Sequence, residues 1–164
     1  MFELKPLSKE GVPSALEKAE RYRLLNEPAE AVSICHDVLR TEPDNQEALV
    51  TLLLALTDRF QKGYSIGLTE AKDVLPRLKR EYDRAYYAGV ICERRAKAHL
   101  QQGGLGFMAY EWLREAMEHY ERAEKIRPPG NDDAILRWNT CARFIQGNPT
   151  VAPRKDEPPT LGLE

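Results

Sequence analysis

The chain has 164 residues and a formal net charge of −2, from 24 Lys and Arg against 26 Asp and Glu. Charged residues make up 30% and hydrophobic residues 42%, a globular balance sufficient for one domain or a domain plus a tail. The slight acidity argues against bulk attraction to nucleic acid or to an anionic membrane.

The longest apolar runs, such as Leu52-Leu53-Leu54-Ala55-Leu56, are too short to span a bilayer, and Met1 to Pro6 has no apolar core of a secretory signal. Three cysteines at long spacings make no disulfide framework. A soluble, cytoplasmic protein with reduced thiols is therefore expected.

Helical periodicity runs through almost every informative stretch, and none alternates long enough for a strand. Residues 1–13 read as an N-terminal extension. The first helix is expected from Ser14, where Ser14-Ala15-Leu16-Glu17 has capping-box spacing, to about Leu25. Pro28 suits the first turn of a second helix, with Ala31, Cys35, Val38 and Leu39 on one face. A third restarts at Asp44, with Glu47 in capping position. It is apolar nearly all round from Ala48 to Leu56, so neighbours should cover both its sides.

Asp58 to Gly67 reads as a helix end and loop. A fourth helix from Leu68 carries Ala71, Val74, Leu75 and Leu78 inward. Pro76 should kink or split it, since a continuous helix there would lose about 3 kcal/mol. A fifth helix is expected from Tyr82 to Gln101, then an elbow at Gly103-Gly104-Leu105-Gly106. The sixth runs from Gly106 to Ile126, with Ala109, Leu113, Ala116, Tyr120 and Ala123 inward and Glu111, Glu115, Glu118 and Glu121 outward. A seventh spans Asp132 to Gln146. Residues 147–164 hold four of the eleven prolines and read as a flexible tail, disordered or ending in a linear motif at Leu161-Gly162-Leu163-Glu164.

Helices joined by short turns call for a repeat search. Ala19, Tyr22, Ala31, Val38 and Pro43 occur in order across one helix pair, and Gly89, Ala116, Tyr120, Ala123 and Pro128 across another. Leu49, Leu52, Leu56, Ala71, Leu75 and Leu78 form a weaker middle unit. Small residues let paired helices approach, large ones fill the gaps, and proline ends each unit. Over residues 14–146 this pattern resembles the tetratricopeptide repeat (TPR).

The resemblance implies an all-α, right-handed superhelical stack of antiparallel helix hairpins: about seven helices, as three irregular repeats plus a capping helix. Pro43 to Pro128 is 128 − 43 = 85 residues, against about 68 for two usual units. The excess falls mostly in the third hairpin and implies a long turn there. Trp138 stands where the family has a small residue and reads as a cap over the exposed end.

Catalytic and metal chemistry find little support. No CxxC, HxxxH or HExxH spacing exists, and Cys35 and His36 leave a helix about 100° apart. Cys35, Cys92 and Cys141 lie on apolar faces and read as core. Ser8, Ser14, Ser33 and Ser65 lack a nucleophile elbow, and the glycine elbow lacks the lysine and strand of a phosphate loop. No convergent titratable set is apparent inside the stack, so no enzyme, metal or cofactor is expected. The basic run Arg77, Lys79, Arg80, Arg84, Arg94, Arg95 and Lys97, with Tyr82, Tyr86 and Tyr87 interleaved, is broken by Glu81, Asp83 and Glu93. It reads as a solvated face rather than a single-strand platform.

The resemblance implies a concave groove lined by the first helix of each pair. Candidate partner-binding residues are Glu20 and Arg23, then Val50, Leu54 and Asp58, then Tyr86, Val90, Glu93 and Arg94, and finally Ile135, Asn139 and Arg143. The family's lysine–asparagine clamp for chaperone C-termini is not matched, because Leu16, Glu20 and Leu54 occupy those places. The expected function is a non-catalytic protein–protein interaction adaptor or scaffold taking a protein or peptide ligand. The alternatives are a secretion-type chaperone for a dedicated client and a self-assembling scaffold, homodimeric through a solenoid end.

Overall fold

The computed structural model describes residues 1–63 and 66–155; Tyr64, Ser65 and the C-terminal motif residues Pro158 to Glu164 lie outside the described residues. Among the described residues there are seven α-helices and no strand. They are α1 (Val12–Leu24), α2 (Pro28–Thr41), α3 (Gln46–Asp58), α4 (Leu68–Val74), α5 (Glu81–Gln101), α6 (Gly106–Lys125) and α7 (Asp133–Gly147). None is long and apolar enough to cross a membrane.

Local chemistry sets the boundaries, and it moves two expected starts. The first helix begins at Val12, so Ser14 lies inside its first turn rather than capping it, and Pro13 occupies a position that needs no N–H donor. The cap upstream belongs to Ser8, whose Oγ accepts from Gly11 N at 3.1 Å and closes a short 3-10 turn. The cap of α3 is Asn45, not Asp44: its Oδ1 accepts from Ala48 N at 2.9 Å. Asn26 ends α1 with φ 59, the left-handed geometry that asparagine tolerates. Pro76 splits the fourth helix as expected, leaving a seven-residue α4 and a 3-10 turn at Leu75–Arg77.

Consecutive helices pack on one another within α1–α4 and within α5–α7. In addition α1 touches α3, and α3 touches α5. The third helix is covered on both sides, with Ala48, Leu49, Leu52, Leu53, Ala55 and Leu56 all buried. The excess length of the third hairpin lies in the helices, not in the turn. The fifth and sixth helices are 21 and 20 residues long and only Gln102 to Leu105 separate them. Their close approach depends on Gly89, where a Cβ would sit 2.6 Å from the Tyr120 ring. Ala109, Leu113, Ala116, Tyr120 and Ala123 are fully buried, and the glutamates of α6 face solvent, as its periodicity implies.

Two apolar cores result. One gathers α1–α4, with Ile91 and Ala98 of α5, around Leu49, Leu52, Leu53, Leu56 and Phe60; the other gathers α5–α7 around Leu113, Tyr120, Ala134 and Cys141. Half-buried Leu54 and Tyr87 pack against both and join them. Cys35, Cys92 and Cys141 are free thiols. Trp138 is half-buried against the second core and donates its indole N–H to Glu121 at 3.0 Å.

The segment after α7 is partly structural, contrary to the tail reading from residue 147. Val151 is 3% exposed in the second core, and Arg154 stacks on Phe107 at 5.3 Å. Thr150 O lies so near Gly106 that any side chain there would collide with it.

Candidate functional site

Asp58 closes the last turn of α3, and one arginine from α1 and one from α5 reach it. Arg23 of α1 donates through Nε to Oδ2 at 2.7 Å, and Arg94 of α5 donates through Nη1 to Oδ1 at 2.5 Å. The same Arg94 nitrogen donates to Thr57 Oγ1 at 2.9 Å. Asp58 thus stitches α1, α3 and α5 together. Its side chain stays 22% exposed, and those of Arg23 and Arg94 are 19% and 32% exposed.

A second carboxylate repeats the arrangement at greater depth. Glu93 of α5 is fully buried. Lys97, one turn on, donates to its Oε2 at 2.7 Å. Arg137 of α7 grips both oxygens, with Nε 3.1 Å from Oε1 and Nη2 on Oε2. The Tyr120 hydroxyl donates to Oε1 at 2.9 Å and the Cys141 thiol at 3.5 Å. Burial raises the Glu93 carboxyl pKa. The bond and charge of Lys97, the charge of Arg137 and the Tyr120 bond outweigh burial and hold it below the ordinary value, so the group is ionised at neutral pH. Burial and the Glu93 charge push the Cys141 thiol up to about 12, and they raise Tyr120 as well.

Each carboxylate therefore faces two cations, and Glu20 offsets the surplus charge on the Arg23 side of the Asp58 set. The sets meet at one cleft of ≈ 270 Å³, lined by Asp58, Phe60, Arg94, Lys97, Ala98 and Gln101 among others. Arg94 comes from the Asp58 set and Lys97 from the Glu93 set. Glu20 joins Arg23 and Asp58 around a smaller hollow of ≈ 180 Å³. Of the sequence candidates, Glu20, Arg23, Asp58 and Arg94 are brought together, with Leu54 half-buried behind them.

The other candidates are placed differently. Val90, at 4% exposure, and Glu93 are buried and present nothing to a partner. Tyr86 is half-buried, stacked on Tyr82 at 5.8 Å and edge-on to Tyr87. Asn139 and Ile135 line a separate hollow of ≈ 300 Å³ with Glu121, Glu124 and Trp138, and Arg143 is exposed further along α7. The reason is helical phase. Arg137 and Cys141 turn toward Glu93, and Asn139 leaves the helix about 200° from Arg137.

The expectation of no convergent titratable set is also corrected, because Glu93, Tyr120, Cys141, Lys97 and Arg137 form one. The pair Glu93–Lys97 was legible as an i,i+4 match; Tyr120 and Arg137 are 27 and 44 residues away from Glu93 and left no local signal. Much of the basic run is spent internally. Arg84 donates to Leu78 O and Lys79 O, Arg77 to Pro43 O, and Arg95 lies over the Trp112 ring at 3.9 Å. No protein-family model, curated protein or solved structure matches the chain.

Proposed function

We propose that the protein is a non-catalytic adaptor of the TPR-like helix-hairpin type. In this reading it takes an acidic, extended segment of a partner protein along the α1–α3–α5 face. The observation that carries the reading is the pair of part-exposed cations at the cleft: Arg94 and Lys97, 32% and 29% exposed, meet there in a chain of net charge −2. Guanidinium and ammonium donors held in place by their own carboxylates are a pre-organised receptor for further carboxylates. The contacts of α1 with α3 and of α3 with α5 support a groove built from first helices.

Fluorescence-polarisation titration with matched acidic, neutral and basic peptides tests this. Acidic peptides should bind best and weaken with added salt. Replacing both Arg94 and Lys97 by Gln should weaken binding at least tenfold, since each charge-assisted bond contributes about 1.5–3 kcal/mol. Asp58→Asn should tighten it, because the carboxylate that competes with the ligand is gone. Equal binding of acidic and neutral peptides, or an indifferent double variant, would sink the proposal.

A further inference from the structure

Away from the cleft, three metal-ligating side chains of different chemistry converge where α5 meets α6. They are Cys92 of α5 with Glu115 and His119 of α6, and one donor atom of each lies within 4.8 Å of the others. Glu115 and His119 are spaced i,i+4, so they stand on one face of the helix, the spacing by which helices present paired zinc ligands. The third donor, the half-buried Cys92 thiol, comes from the neighbouring helix.

We propose that Cys92, Glu115 and His119 form a Zn²⁺ site with three protein ligands and one open position. A thiolate and an imidazole favour a borderline-soft transition ion over Mg²⁺ or Ca²⁺. Zinc bonds of about 2.0–2.3 Å place tetrahedral donors roughly 3.3–3.8 Å apart. The Glu115 side chain, 56% exposed, is free to swing inward by the difference. On binding, the thiol proton leaves to solvent and the sulfur lone pair forms the Zn–S bond. Burial and the Glu115 charge push the metal-free Cys92 thiol up to about 12 against the opposing charges of Lys72 and Arg95, so the ion itself must displace the proton.

One neighbour opposes the site and gives it a signature. The exposed Arg122 contacts His119 Nδ1. A histidine bound to metal through Nε2 carries its proton on Nδ1 and donates it outward, so it has no lone pair for a guanidinium. Metal binding therefore displaces Arg122.

The test is titration of the reduced full-length chain with Co²⁺ as a spectroscopic probe, followed by Zn²⁺ competition against a chromophoric chelator. A thiolate-to-cobalt charge-transfer band at one ion per chain is expected, and Cys92→Ser should abolish it. Glu115→Gln and His119→Gln should each weaken binding by at least the roughly tenfold that loss of an outer-sphere partner brings. Arg122→Ala should tighten it several-fold. Glu115 is exposed, so its variant remains informative if Cys92→Ser proves unstable by circular dichroism. The proposal is overturned if no charge-transfer band forms, or if the band survives Cys92→Ser. It is also overturned if binding is lost with His36→Gln, which would place the ion at the exposed His36–Glu70 pair.

Discussion

The two halves of the molecule hold their helices together in contrasting ways. In α1–α4 the core is apolar and the bridging carboxylate, Asp58, sits at its edge with water still in reach. In α5–α7 the bridging carboxylate, Glu93, lies inside the core and has exchanged all its water for Lys97, Arg137, Tyr120 and Cys141. The constellation of one carboxylate and two cations is the same, but its surroundings differ. In water-screened surroundings an ion pair contributes little to stability and remains available to a ligand. In a dry interior every removed partner leaves a charge uncompensated. The first set is suited to binding, the second to holding α7 in place.

Glu93→Ala breaks this comparison most directly. It orphans the Tyr120 hydroxyl and frees two cations, and should destabilise by about 4 kcal/mol in urea denaturation. A loss below 1 kcal/mol would mean that apolar packing alone secures α7. The same group sets a pH dependence. Its native pKa lies below its unfolded one, so its stabilisation is complete above the ordinary carboxylate range and disappears as pH falls through the lower native value. Stability should therefore drop in acid, and the Glu93→Ala variant should drop less.

Next in size is Gly89→Ala. An added methyl group improves helix propensity by up to about 1 kcal/mol. Here it also meets the ring of Tyr120, fully buried and tied to Glu93, and a net loss of about 2 kcal/mol is expected in thermal unfolding. A gain in stability would show that α5 and α6 have room to separate.

Asp58→Ala is the smallest effect. With both arginines partly solvated, it should lower stability by less than about 1 kcal/mol. A loss as large as that of Glu93→Ala would erase the distinction between the two sets.

Which parts of this were legible in the sequence follows from the range of the interactions. Pro28, Pro76 and the apolar stripe of α6 act within a turn or two of themselves, and the helices they mark stand where expected. The α3 cap was misplaced by one residue because Asp44 and Asn45 are both good caps, and the backbone chose between them. The residues in excess of the repeat period had no composition to separate turn from helix, and lengthened α5 and α6. Arg23, Asp58 and Arg94 were legible as neighbours because α1, α3 and α5 each carry one of them in the expected phase. Arg137 was not, because the phase of α7 is decided by what it packs on rather than by its own pattern. Val151 escaped notice as a single apolar residue among prolines.

The docking of Thr150 and Val151 beside Gly106 also bears on the order in which the chain is made. The buried residues of the first core are all present once residues up to Ala98 have emerged from the ribosome. The second core needs Val151, near the end of the described chain, and with it a pairing across 150 − 106 = 44 positions. Synthesis from the N-terminus thus delivers the first core before the residues that complete the second. During that interval the apolar faces of α5 and α6 have nothing from α7 to cover them. Nascent chains stalled before residue 133 should be the ones that chaperones hold longest.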